Sequence, residues 1–324
     1  MSRPQIIDRP VLGRPAAATA RPLLWWRLGC LALMLGSVAA FVVVAAIALH
    51  TVLGQQLDTA SFQAAAHGQT LLWRFGHRVL DTMSIVLTAL LVAVAIAALR
   101  RRWLLAAQAA LVMGGASLTT ELLKLVVLQR PNLLGAYTEL ANSLPSGHTT
   151  LAASAAVTAM LFAPRPARPL VALLGAAYTA AVGVSTLTGR WHRPSDVVCA
   201  LLVVAFWGGL AALVASYETG ARAKREVGGA GRVPRRSRGL PAVLVTCFGV
   251  AVATGAGAVF ALLRTASVMP AGGVPTDLDR SSELLAYAGG ALGIVSVTAL
   301  VFALLLVLRE RPGSAAPELW ETSA

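Results

Sequence analysis

Eight long apolar runs limit what this chain can become. They lie at 28–49, 81–99, 104–128, 149–162, 170–187, 197–216, 242–263 and 284–308, and are built mostly of Ala, Leu and Val. Around twenty apolar residues in a helix match the ~30 Å hydrocarbon layer of a bilayer. The chain is 57% hydrophobic and only 13% charged, against about 25% charged in an ordinary soluble domain. Nothing in it alternates in the ten-residue rhythm of a membrane barrel. The expected fold class is therefore all-α, a polytopic transmembrane helical bundle.

A net charge of +13 on 324 residues would point to nucleic acid in a soluble protein. Here the placement of the charge argues otherwise. With the N-terminus in the cytoplasm, 19 of the 27 Lys and Arg residues fall on the inner side, in clusters such as Arg100–Arg102 and the run between Arg222 and Arg238. The positive-inside rule then sets both termini in the cytoplasm of a multi-pass cell-membrane protein. The clusters read as topology signals and contacts to anionic membrane lipids, with no nucleic-acid partner. Lys124, Arg130, Arg190 and Arg193 are among the eight basic residues left outside. Usage rich in Ala, Arg and Gly suggests a GC-rich bacterial genome.

The organisation follows from the runs. Residues 1–22, with prolines and scattered arginines, are expected to be a disordered cytoplasmic tail, and Trp25 and Trp26 mark the inner interface. The first run is too long for a signal core and is read as a retained helix. Residues 23–217 form a membrane domain, 218–239 a basic cytoplasmic linker, 240–309 a two-helix membrane extension, and 310–324 a second disordered tail. The connection 51–80, too polar to span yet carrying Leu57, Phe62, Leu71, Leu72 and Phe75, is expected as one or two short helices on the outer surface. His67 and His77 within it lack neighbours at ligand spacing and are read as interfacial polar residues. Asp277, Asp279 and Glu283 lack calcium-loop spacing and belong to a solvated loop. Cys30, Cys199 and Cys247 lie inside apolar runs as small core residues, with no metal-ligand spacing or disulfide framework. No metal site and no cofactor are expected.

Chemistry concentrates at the outer ends of the runs. The third run closes with Lys124 and Arg130-Pro131, and ionisable groups at membrane depth usually face a polar interior. Pro145-Ser146-Gly147-His148 opens the fourth run. Proline and serine punctuate many helix starts, but an N-terminus with glycine and a small hydroxyl is also an anion cradle. Between the fifth and sixth runs, Gly-Arg-Trp-His-Arg-Pro-Ser-Asp sets His192 and Asp196 four residues apart, on one face if a helix begins there. An imidazole, a carboxylate and guanidinium groups suit chemistry on a phosphate. The topology brings all three clusters to one side.

In this order, the three clusters resemble the signatures of the type 2 phosphatidic acid phosphatase superfamily of lipid phosphate phosphatases. Lys124 with Arg130-Pro131 matches the first motif, except that five residues separate the charges where six are usual. Pro145–His148 matches the second in full. The third, Ser-Arg, five residues, His, three residues, Asp, is matched by Ser185, His192 and Asp196, while Thr186 stands at the place of its phosphate-binding arginine. Arg190, or next Arg193, is the candidate replacement. The resemblance covers roughly residues 80–216, five helices of the six-helix phosphatase core that it implies, with the first run as the sixth; two additional C-terminal transmembrane helices lie outside it.

The resemblance implies an integral membrane phosphatase that hydrolyses a lipid phosphate or polyprenyl (di)phosphate at the extracytoplasmic face. His192 would be the nucleophile forming a phosphohistidine, Asp196 its orienting acid and His148 the general acid and base. Lys124, Arg130, Arg190, Ser146 and Gly147 would bind phosphate. Alternatives are a phosphotransferase on the same scaffold, or a catalytically silent membrane transporter or scaffold. A transporter would show two repeated halves with interrupted helices, and no such repeat is present.

Overall fold

The computed structural model describes residues 17–135, 142–225, 237 and 239–310, with side chains from Leu23 onward except at 67–80 and 218–225. Among the described residues the regular structure is all helical. Eight helices follow in order: α1 (Ala17–His50), α2 (Val52–Leu99), α3 (Trp103–Val127), α4 (Gly147–Phe162), α5 (Arg168–Thr188), α6 (Pro194–Arg225), α7 (Leu240–Ala266) and α8 (Arg280–Arg309). Seven segments among the described residues are long and apolar enough to cross a membrane: Leu23–His50, Asp81–Leu99, Trp103–Val127, Arg168–Thr188, Pro194–Tyr217, Leu240–Ala266 and Arg280–Arg309. The chain is a polytopic helical bundle.

The remaining expected run, 149–162, lies in α4, a helix of 16 residues. At 1.5 Å per residue it is roughly 24 Å long, short of a full hydrocarbon layer. Its Ala-rich surface is buried on most sides, with Ala152, Ala153, Ala155, Val157 and Met160 all inside. Small side chains let α3, α5 and α6 approach it closely, so α4 is the interior post of the bundle. In contrast, α1 exposes Leu35, Val38, Val42, Val43 and Ile47, and α7 exposes Val245, Val252, Val259, Phe260 and Leu263. Continuous apolar faces of this extent on a folded surface mark contact with lipid.

The connection 51–80 differs from the expectation. It is no separate surface element but the first half of a single 48-residue helix, α2, which runs unbroken into the second membrane segment. Thr51 caps its start, its side chain accepting from the Gly54 amide at 3.0 Å. No proline interrupts the segment, and isolated glycines are tolerated in a helix that tertiary contacts support. Two further boundaries move. Helix α1 reaches back to Ala17, inside the segment expected as a tail, and α6 runs on to Arg225, inside the expected linker. Expectations for 1–16, 226–236 and 311–324, and for the side chains of His67, Leu71, Leu72, Phe75 and His77, lie outside the described residues.

Helices α7 and α8 pack as a hairpin against the core. At Gly290 of α8 an added Cβ would lie 2.6 Å from Pro194 Cγ, the first residue of α6, and 3.4 Å from Ser61 Cβ of α2. Real Cβ contacts do not come that close, so glycine is what lets the hairpin seat on the start of α6. Gly290→Ala is expected to destabilise by about 1–3 kcal/mol through overpacking. Thermal unfolding in detergent checks this; a melting temperature equal to that of the wild type would refute the close approach.

Candidate active site

The loops at one end of the bundle converge on a buried carboxylate. Asp196, in the first turn of α6, has no solvent exposure. Its Oδ2 accepts from Ser143 Oγ at 2.6 Å and from the Arg193 amide at 2.9 Å, and faces His192 Nδ1 at 3.3 Å. Its backbone carbonyl accepts the Ser146 amide at 2.9 Å. One residue therefore joins the stretch before α4, the start of α4 and the α5–α6 turn.

The α5–α6 turn is held by its own backbone. The Thr186 carbonyl accepts the amides of Trp191 at 2.9 Å and His192 at 3.2 Å. The Thr186 side chain is buried and its hydroxyl donates to the Gly183 carbonyl, so it turns back onto its own helix. Arg190 takes a left-handed backbone conformation with φ 56°, which allows the chain to reverse between helices and costs a non-glycine residue some strain. The turn presents His192, 8% exposed, toward α4. His148 in the first turn of α4 is exposed, its ring centre 6.0 Å from that of His192 and 5.4 Å from that of Trp191.

The first motif is carried by the end of α3. The last helical stretch, Leu123–Val127, is wound as a π-helix, and the Leu128 amide reaches five residues back to the Leu123 carbonyl at 2.8 Å. Such wide turns are frequent where a helix serves a functional site. Lys124 Nζ lies 3.4 Å from Glu121 Oε1. A Cβ added to Gly147 would sit 3.6 Å from that Nζ, so the ends of α3 and α4 abut without a side chain between them. Thr120 and Thr150 share a hydroxyl hydrogen bond of 2.9 Å, and Asn142 Nδ2 donates to the carbonyls of Lys124, Leu128 and Leu144. These contacts fix the first motif against the second.

Ser146 caps α4, its side chain accepting from the Thr149 amide at 3.3 Å. Its own amide is used on the Asp196 carbonyl, so the donors that α4 leaves for an anion are the amides of Gly147 and His148 in its first turn. The two arginines around His192 differ sharply. Arg193 is buried, with Nη1 3.3 Å from Ser143 Oγ. Arg190 is exposed, with its guanidinium carbon 5.2 Å from the centre of the Phe62 ring. That distance suits a cation over an aromatic face.

Three residues that the motifs did not identify complete the centre: Ser143, Ser195 and Asp58. Asp58, on the first half of α2, receives the Ser195 amide at 3.2 Å on Oδ1 and the Ser195 hydroxyl on Oδ2. Arg130 Nη2 lies 3.4 Å from Asp58 Oδ2 and 3.9 Å from Asp196 Oδ1, with Arg130 and Asp58 only 7% and 8% exposed. Burial holds the Asp58 carboxyl above its ordinary pKa, with the Arg130 guanidinium offsetting only part of that rise. No set of three His, Cys, Asp or Glu side chains among the described residues is placed to hold a metal ion. Cys30, Cys199 and Cys247 are all buried thiols. Asp279 caps α8, its carboxylate accepting from the Ser281 amide at 3.2 Å, far along the chain from these motifs.

Chemically, an imidazole whose Nδ1 faces a carboxylate leaves Nε2 free to act as nucleophile or base. A second imidazole stands across from it, and cations and helix amides lie around both. Ser143→Ala would leave a buried carboxylate oxygen short of one hydrogen bond. The expected cost is about 1–3 kcal/mol, read as a lower melting temperature in detergent, and an unchanged value would count against the Asp196 framework.

No curated protein and no solved structure matches the chain. The stretch from 105 to 220, which holds all three motifs and leaves α1, α2, α7 and α8 outside, matches the family model of the PAP2 superfamily.

Proposed function

We propose that the protein is an integral membrane phosphatase that removes phosphate from a lipid phosphate or polyprenyl (di)phosphate through a phosphohistidine at His192. The observation that carries this reading is the His192 Nδ1 contact with the buried Asp196, with His148 facing the same imidazole. The match to a phosphatase superfamily and the apolar helices support a membrane phosphatase in general terms.

The steps follow from the groups present. Nε2 of His192 attacks phosphorus while the bond to the lipid oxygen breaks, and Asp196 stabilises the positive charge that grows on the ring. His148 gives a proton to the departing alkoxide. It then takes a proton from the water that attacks the phosphohistidine, which frees inorganic phosphate and restores His192. Lys124, Arg130 and the amide of Gly147 stabilise the non-bridging oxygens as charge develops on them. The Ser146 backbone aligns this cradle from the framework side. Protein side chains, a backbone amide and water supply each step.

Arg190 is the proposed substitute for the arginine that Thr186 displaces. Its guanidinium is exposed above Phe62, whereas Arg193 is engaged with Ser143 in the interior. The excess of basic residues at the opposite loop ends supports a site at the extracytoplasmic face, among the outer-leaflet headgroups.

Purified wild type is expected to release phosphate from at least one member of a panel of lipid monophosphates and diphosphates, and His192→Ala from none. No release by the wild type from any member rejects the phosphatase reading; equal rates reject the nucleophile. Arg190→Ala should reduce kcat/KM at least as much as Arg130→Ala, by roughly a hundredfold if it contributes as one oxyanion donor does. A neutral result removes Arg190 from the site.

A further inference from the structure

Helix α2 lies outside the segment that matches the family model, yet its first half touches two of the three motifs. Gln55, Asp58 and Phe62 fall at i, i+3 and i+7, one face of the helix. Gln55 Nε2 donates to the carbonyl of Pro131 at 2.7 Å. Asp58 holds Arg130 at 3.4 Å and both the amide and hydroxyl of Ser195. The Phe62 ring lies beneath the guanidinium groups of Arg190 at 5.2 Å and Arg193 at 5.5 Å. The other face of the same segment is tied to the C-terminal hairpin. Gln56 Nε2 donates to the carbonyls of Pro270 and Gly273, each at 3.1 Å, and Ser61 Oγ to that of Ala286 at 2.8 Å.

We infer that Asp58 is a positioning residue of the active site, setting Arg130 and the first turn of α6 from a helical arm that α7 and α8 hold in place. This inference rests on the phosphatase reading for its functional consequence. Arg130 stands between two carboxylates, and one of them, Asp196, is the group that orients His192. With Asp58 present, the guanidinium is shared. Without it, Asp196 is the only carboxylate among the described residues left beside Arg130, and the guanidinium shifts toward it. That shift draws Asp196 from His192 and turns Arg130 away from the phosphate. Asp58 also performs for α6 what an N-cap performs, accepting an amide of its first turn, but does so from another helix. A carboxylate at that end favours the turn that carries Asp196. The C-terminal hairpin thereby gains a role: it is the support against which the arm is set.

The test is a double-mutant cycle between Asp58→Asn and Arg130→Gln, read in both kcat/KM and thermal unfolding of the detergent-purified protein. A displacement of about 1 Å in a positioned group can cost around a hundredfold in rate, so Asp58→Asn is expected to lower kcat/KM roughly tenfold to a hundredfold. Because part of the Asp58 effect runs through Arg130, the loss in the double variant should be clearly smaller than the product of the two single losses. Rates for Asp58→Asn within twofold of wild type, or losses that multiply in the double variant, overturn the inference. If wild type hydrolyses no lipid phosphate, the phosphatase reading fails and the melting cycle decides the pairing. A double variant more stable than the two single losses predict supports it, and additive losses overturn it. Should Asp58→Asn not fold, Ser195→Ala replaces it, because it removes one Asp58 contact and leaves no buried charge unpaired. A several-fold fall in kcat with little change in KM supports the inference; rates equal to wild type overturn it.

Discussion

Everything at the functional end of the bundle depends on keeping one carboxylate out of water. A buried, ionised Asp196 is costly unless its oxygens are matched by donors and nearby cations. The donors come from the α5–α6 turn and from the stretch before α4, and the adjacent cation from the end of α3. The three donors all converge on Oδ2, while Oδ1 faces only the Arg130 guanidinium at 3.9 Å, so three distant parts of the chain meet at this one group. The fold sets His192 and Arg130 beside this carboxylate, and the His148 ring 6.0 Å from that of His192.

The scaffold suits that demand. The Ala-rich α4 is thin enough to stand inside the bundle, so its N-terminus opens among the other motifs rather than at a lipid-facing surface. Glycine at 290 permits a close approach between α8 and the start of α6. This matters for chemistry because Pro194 lies two residues from Asp196. The hairpin α7–α8 and the arm of α2, both outside the stretch that the family model covers, thus pack with the first turn of α6 as one unit behind the histidine.

The runs and the three motifs were legible in the sequence because each is local. An apolar run declares itself within some twenty residues, and His192 with Asp196 needs only helical spacing. What the sequence hid is non-local. Asp58 and Ser195 are 137 positions apart, and neither belongs to a motif. The segment 51–80 looked like a surface connection because its polar residues broke the membrane pattern, yet Gln55, Gln56, Asp58 and Ser61 among them face the motifs and the hairpin. The signal that was available is the i, i+3, i+7 series of Gln55, Asp58 and Phe62, an amphipathic stripe whose polar members had no evident solvent purpose. The sequence ranked Arg190 ahead of Arg193 but gave no burial for either; the backbone places Arg193 inside and Arg190 outside.

The central claim is that His192 carries the phosphoryl group. It is tested most directly by quenching the wild-type protein during turnover of a lipid phosphate and locating the phosphoryl group by mass spectrometry under conditions that preserve acid-labile phosphohistidine. The account predicts one phosphoryl group on the peptide containing His192, absent when the Ser143 and Asp196 framework is intact but His192 is replaced by Ala. A phosphoryl group on His148 or any other residue, or turnover that continues with His192 never modified, would contradict it.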